Sequence, residues 1–223
     1  MYKGKERAIK KIQFNSKIKF KRNFFSNKIV LGPSHLTRWV NYIEKGNLLN
    51  PDFELWGVSG LSIFSKSIDN CLDFWINSSD KTEIVILVPD FRIGNSCLIS
   101  DSSNPLFIYK HAMKISGADE ELKFKFFRRL DDLIHSYGSR VKLIFWCQYG
   151  REMINRREGK YVDKESGEYH HIITYNELKK RYEKNIIDIE VDKDKYFSLI
   201  ETDGSIHPTL EGYLYLTNLI QKC

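Results

Sequence analysis

Two short stretches of the chain carry residues that could act together as a nucleophile and a base. Ser34 follows an apolar run and the pair Gly32 and Pro33, and His207 precedes Pro208 near the end of the chain. A serine hydroxyl is a weak nucleophile unless a base accepts its proton during attack on an acyl carbon. A strand-to-helix turn exposes one side chain at the carboxyl edge of a sheet, where open α/β folds bind their ligands. Ser34 is therefore a candidate nucleophile, although a serine in this place can also simply cap the helix that follows.

Carboxylates lie close to His207 in the sequence. Asp203 precedes it by four residues, with Gly204 allowing a tight turn, and Glu201 is the alternative acid. A carboxylate that pairs with an imidazole fixes its tautomer and stabilises the imidazolium that forms when the ring takes a proton. We therefore predict Ser34, His207 and Asp203 as catalytic residues.

The pattern of apolar segments indicates which elements position these residues. Continuous apolar runs alternate with segments of helical periodicity, as in a parallel sheet covered by helices on both faces. We expect an α/β protein with a three-layer α/β/α sandwich and a parallel five-stranded sheet, the strands lying over residues 28–32, 53–58, 83–89, 141–147 and 186–191. Helices are predicted between the strands, and a closing helix over residues 208–222.

One connection in this pattern is longer than the others. Residues 148–174 separate the fourth predicted strand from the next helix, and they are typical of a hairpin inserted in the connection. The insertion carries cationic and aromatic side chains, including Tyr161 and Tyr169, which suit sugars and carboxylates better than long acyl chains. The predicted substrate-binding residues are Arg151, Arg156, Arg157, His170 and His171, together with Arg92 from an earlier loop. The alternative is a solvated hairpin that binds nothing.

The segment around Ser34 and the segment around His207 resemble two conserved sequence blocks of the SGNH/GDSL hydrolase superfamily. This superfamily contains esterases and other acyl-handling enzymes with an α/β/α fold. The segment that ends in Ser34 is similar to the Gly-Asp-Ser block of that family, with Pro33 in place of the usual Asp. The segment from Asp203 to Pro208 is similar to the final Asp-x-x-His-Pro block, with one additional residue between the acid and the histidine. The resemblance implies a Ser–His–Asp triad.

The resemblance also implies an oxyanion hole. Its donors would be the backbone N–H groups of Ser34 and Gly60 and the side-chain amide of Asn95. Gly60 follows the second strand, in a segment that also contains Gly57, and Asn95 follows the third strand after some additional residues. Preorganised donors of this kind stabilise the negative charge that develops on a tetrahedral intermediate.

Charge is unevenly distributed along the chain. The formal net charge is +6, but residues 1–28 hold ten Lys or Arg and one acidic residue, which leaves −3 for the rest. We therefore predict a basic N-terminal arm over residues 1–28 and one domain over residues 29–223. The arm could contact an anionic surface or remain solvated. The domain has no nucleic-acid motif, and we expect no nucleic-acid partner.

The cysteine spacing and the apolar runs limit the classes of protein to which the chain can belong. The four cysteines are widely spaced with no CxxC pair, so we expect neither a metal site nor a disulfide framework, and no cofactor. No apolar run approaches the roughly 20 residues that span a membrane, and no apolar leader is visible, so we expect a cytoplasmic protein.

These observations predict a serine esterase that acts on a short acyl ester, an O-acetyl ester of a saccharide. One alternative is an O-acyltransferase of glycan biosynthesis that uses the same triad. Another is a non-catalytic glycan-binding module with the same fold, since a fold does not imply an activity. A nucleotide- or FMN-binding domain ranks last because the turn after the first strand offers a single glycine.

Overall fold

The structure is a computed structural model that describes residues 18–21, 23, 26–59, 61, 63, 66–77, 79–88, 118–146, 175–201 and 207–223. The predicted hairpin insertion over residues 148–174 lies outside these ranges, as do residues 1–17 of the predicted basic arm.

A mixed β-sheet lies at the centre of the described part of the chain. Its strands are β1 (Ile18–Lys21), β2 (Lys28–Gly32), β3 (Glu54–Val58), β4 (Glu83–Val88) and β5 (Val141–Phe145). The strand order is β1-β3-β2-β4-β5. Strands β2 to β5 run parallel to one another, whereas β1 pairs with β3 in the antiparallel direction.

The prediction of a parallel five-stranded sheet is therefore wrong for one strand, the one expected over residues 186–191. Residues 186–191 contribute only an isolated parallel bridge between Ile186 and Leu143 of β5. The carboxylate of Asp188 is held by Tyr175 and Lys179, which lie on a neighbouring helix. The backbone N–H of Ile189 donates to the hydroxyl of the same Tyr175 at 3.4 Å, so it is not available to a carbonyl of β5.

The fifth strand comes instead from the segment predicted to be a basic arm. In β1, the ring of Phe20 stacks on Trp56 of β3 with the ring centroids 4.9 Å apart. Lys19 forms an ion pair with Glu44, at the end of the first helix. Residues 18–21 thus belong to the edge of the sheet.

Helices cover both faces of the sheet. They are α1 (Ser34–Glu44), α2 (Lys66–Asn77), α3 (Ala118–Tyr137), α4 (175–181), α5 (Lys193–Ser198) and α6 (Leu210–Gln221). Buried side chains of α2, α3 and α4 pack on one face of the sheet, and those of α1, α5 and α6 pack on the other. The predicted α/β class with helices on both faces is confirmed by this arrangement.

The order of the strands indicates where a ligand would bind. From β2 the chain moves outward to β3 and then returns to place β4 on the other side of β2. In open α/β sheets, ligands bind outside the carboxyl ends of the strands at the point where the strand order reverses. That point lies beyond Gly32 and Val88, the last residues of β2 and β4.

Candidate active site

Ser34 stands at this reversal point as the first residue of α1. The N-cap position of the helix is occupied by Pro33, which makes no side-chain capping hydrogen bond. The alternative that Ser34 caps the helix is therefore wrong, and its hydroxyl is directed to another partner. The first N–H groups of a helix have no carbonyl partner within the helix. Among them is the backbone N–H of Ser34, the first of the predicted oxyanion donors.

A close approach between α1 and β3 holds the first turn of this helix in place. A Cβ atom added at Gly57 would lie 2.3 Å from the backbone nitrogen of Thr37 and 2.7 Å from the carbonyl carbon of Leu36. No side chain fits in that space, so glycine is required at position 57. Gly57 thus positions the helix that carries Ser34, a role that the sequence did not reveal.

His207 is positioned by a short bridged segment before α6. Ile200 and Pro208 form an antiparallel bridge, and the backbone N–H of Glu201 donates to the carbonyl oxygen of His207 at 2.7 Å. The side chain of Thr209 caps α6 by accepting a hydrogen bond from the N–H of Gly212. Because Thr209 is the cap, the helix begins at residue 210 and not at the predicted residue 208. The backbone around His207 is therefore held on both sides.

The structure brings Ser34 and His207 together. The distance from Ser34 Oγ to His207 Nε2 is 3.0 Å, although the two residues are 173 positions apart in the sequence. This is the distance expected between a nucleophilic hydroxyl and the base that removes its proton. In the neutral tautomer with hydrogen on Nδ1, His207 Nε2 accepts the hydrogen bond from Ser34.

Glu201, the alternative triad acid, is engaged by α1. Its Oε1 accepts a hydrogen bond from the hydroxyl of Tyr42 at 3.2 Å and lies 3.8 Å from Nη1 of Arg38. The Glu201 and Arg38 side chains are about one-third exposed, so the ion pair contributes little to stability. These contacts give Glu201 a separate role, which is to connect the segment before His207 with helix α1.

His35 is a residue of the site whose role the sequence did not indicate. Its ring is buried and stacks on the ring of His207, with centroids 4.3 Å apart and planes inclined by 30°. The sequence predicts only a contact at the start of a helix for His35. The sequence indicated only that His35 directly follows Ser34, and this adjacency does not show that its ring contacts the ring of His207.

The backbone of His35 is anchored by the last helix. The hydroxyl of Tyr213 on α6 donates to the carbonyl oxygen of His35 at 2.8 Å, in buried surroundings. Burial raises the pKa of Tyr213 well above its ordinary value, and the nearby Arg38 opposes this only in part. The phenol therefore stays protonated and continues to act as a donor.

Several predicted site residues lie outside the described part of the chain, and their roles stay predictions. They are Asp203, Gly60, Asn95, Arg92, Arg151, Arg156, Arg157, His170 and His171. Ser34 and His207 are the predicted catalytic residues whose geometry is described.

A cavity of about 360 Å³ is lined by Lys28 and Glu83, the first residues of β2 and β4. Because those residues lie at the amino ends of the parallel strands, the cavity is at the edge of the sheet opposite to Ser34. It is therefore not the substrate site of the Ser–His pair.

Comparison with known proteins found no relative of this chain, so the interpretation of the site depends on its own geometry. No family model, curated protein or solved structure matches this chain. Within the described residues, no helix is long and apolar enough to cross a membrane, and no group of three or more His, Cys, Asp or Glu side chains could hold a metal ion. The fold and the site define an α/β protein with a Ser–His pair at the carboxyl edge of its sheet.

Proposed function

We propose that this protein is a serine esterase that resembles the SGNH/GDSL hydrolases and acts on a short acyl ester of a saccharide. The observation that carries the proposal is the 3.0 Å contact between Ser34 Oγ and His207 Nε2. The position of the pair at the reversal point of the strand order adds support, because open α/β sheets bind ligands there.

The proposed reaction begins with proton transfer from Ser34 to His207. As Ser34 Oγ attacks the ester carbonyl carbon, Nε2 takes the hydroxyl proton and the carbonyl oxygen becomes an oxyanion. The backbone N–H of Ser34 is one donor to this oxyanion, with Gly60 and Asn95 as the further predicted donors. Collapse of the intermediate breaks the bond to the alcohol oxygen, which receives the proton from Nε2. The acyl group then remains on Ser34 until an incoming hydroxyl, deprotonated by His207, removes it.

Labelling with a fluorophosphonate tests the proposed nucleophile. The reagent phosphonylates a serine that a neighbouring base activates, with loss of fluoride, so we expect one adduct, on Ser34, by peptide mass spectrometry. Ser34→Ala should abolish the adduct. Ser139→Ala is the matched control, since Ser139 is exposed and lies in the short 3₁₀ helix before β5, toward the opposite edge of the sheet.

An unlabelled wild-type protein that is correctly folded would contradict the esterase proposal and favour the non-catalytic glycan-binding module. An adduct on another serine would remove Ser34 from the reaction. Product analysis then separates hydrolysis from acyl transfer, because a transferase delivers the acyl group to an added sugar and an esterase releases the free acid.

The saccharide part of the proposal depends on the composition of residues 148–174, and the pair Arg156 and Arg157 tests it. Replacing both with alanine should raise KM for glucose pentaacetate by about tenfold, the size expected for the loss of one charged hydrogen bond. For 4-nitrophenyl acetate, which has no sugar, KM should stay unchanged. Arg128→Ala, an exposed arginine on α3, is the control. Equal losses on both substrates would contradict a role in sugar binding.

A further inference from the structure

The stacking of His35 on His207 places a second imidazole against the proposed base. The centroid separation of 4.3 Å and the inclination of 30° bring the two ring faces into direct contact. Aromatic rings in contact favour particular relative orientations, so each ring restricts the other.

His35 is suited to act as a fixed support. It is the second residue of α1, its side chain is only 5% exposed, and its carbonyl oxygen is held by the hydroxyl of the fully buried Tyr213. Gly57 allows β3 to pack directly against the same turn of the helix. The ring of His35 is thus carried by backbone that is fixed on both sides.

His207 needs such a support. Rotation about the bond between Cβ and the ring is broad for histidine, so the plane of the ring is set by the groups that pack on its faces as well as by its hydrogen bonds. A packed face restricts that rotation and keeps the nitrogen lone pair directed at Ser34 Oγ. Reacting groups must be held in this way, because a misplacement of about 1 Å can cost roughly 10²-fold in rate.

We propose that His35 is a positioning residue, whose ring face fixes the plane in which His207 Nε2 meets Ser34 Oγ. The effect of His35 on turnover depends on the proposed esterase function, whereas its effect on the ring of His207 does not.

Two substitutions of His35 distinguish the effect of its aromatic face from the effects of its side-chain volume and of its ring nitrogens. His35→Leu keeps much of the side-chain volume and removes the aromatic face, so kcat for 4-nitrophenyl acetate should fall by about tenfold to hundredfold with KM unchanged. His35→Phe restores an aromatic face without ring nitrogens, and it should recover most of the lost kcat. His135→Ala is the matched control, since His135 is exposed in the last turn of α3. Thermal melting of each variant confirms that it is folded.

Either of two kinetic results would overturn the proposal. If His35→Leu keeps the wild-type kcat, His35 only fills space. If folded His35→Phe is as slow as His35→Leu, the ring nitrogens matter and the ring face does not.

A measurement without turnover separates this proposal from the proposed function. The imidazole ¹⁵N spectrum of the wild-type protein should show His207 as one tautomer with hydrogen on Nδ1, assigned by comparison with His207→Ala. In His35→Leu the Nε2 shift should move toward its value in Ser34→Ala, where Nε2 receives no hydrogen bond from Ser34, and in His35→Phe it should return. A wild-type Nε2 shift equal to that of Ser34→Ala would overturn the positioning role even if the leucine variant did not fold. Absence of fluorophosphonate labelling together with an Nε2 shift that depends on Ser34 and His35 would contradict only the esterase proposal.

Discussion

His207→Ala is expected to lower kcat for 4-nitrophenyl acetate by about 10⁶-fold, because a serine and a histidine that act as a unit lose nearly all their effect when either is removed. Without Nε2 at 3.0 Å, the Ser34 hydroxyl has no base to take its proton during attack. The fold should persist, since Glu201 donates to the backbone carbonyl of His207 and Pro208 forms the bridge with Ile200. Neither contact uses the imidazole.

Added imidazole provides a specific check on this result. The space left by the ring should admit free imidazole. After subtraction of the hydrolysis that imidazole catalyses without protein, part of the lost rate should return as the imidazole concentration rises. The same addition should leave Ser34→Ala inactive, because that variant lacks the nucleophile. A His207→Ala variant within tenfold of the wild-type kcat would show that another group acts as the base.

Asp203→Asn is expected to lower kcat by about 10⁴-fold with little change in KM, the effect of removing the carboxylate that orients the base and stabilises its imidazolium. Glu201→Gln should be far milder. The described contacts of Glu201 are to Tyr42 and Arg38, and the ion pair with Arg38 is about one-third exposed. Kinetics of the two variants on one substrate, with thermal melting of each, provide the comparison.

The opposite ranking would reassign the acid. If Glu201→Gln is the crippling change and Asp203→Asn is nearly silent, Glu201 is the partner of His207. If neither change matters and Ser34 is still labelled, Ser34 and His207 work as a dyad without an acid.

Four of the strands and the position of the candidate nucleophile, at the turn after β2, could be predicted from the sequence alone. β4 is a continuous β-branched run, and such a run is typical of a strand buried on both faces. The end of α1 also has a local cause, since Gly46 follows it with a φ of +75°, a conformation that glycine adopts without strain. Ser34 was identified because Gly32 and Pro33 mark the turn between β2 and α1, which is a local signal.

The edge of the sheet was decided by tertiary structure. β1 reads Ile-Lys-Phe-Lys inside a basic segment, and that pattern indicates a solvated arm when it is read alone. It forms a strand because β3 offers an open edge and Trp56 offers a ring on which Phe20 stacks. Residues 186–191 have the stronger strand pattern, yet they form one bridge to β5, and beyond it Tyr175 of α4 contacts Asp188 and accepts the N–H of Ile189.

Tertiary structure also decided which residues of the site contact one another. Local periodicity reports which side chains are buried, but it does not report which distant groups meet when the layers pack. The sequence by itself determined that a serine and a histidine suited to acyl chemistry lie at opposite ends of the chain. Only the packing of α1 against α6 and the bridged segment before it decided that Ser34 meets Nε2 of His207, that His35 covers the face of that ring, and that Glu201 turns to α1.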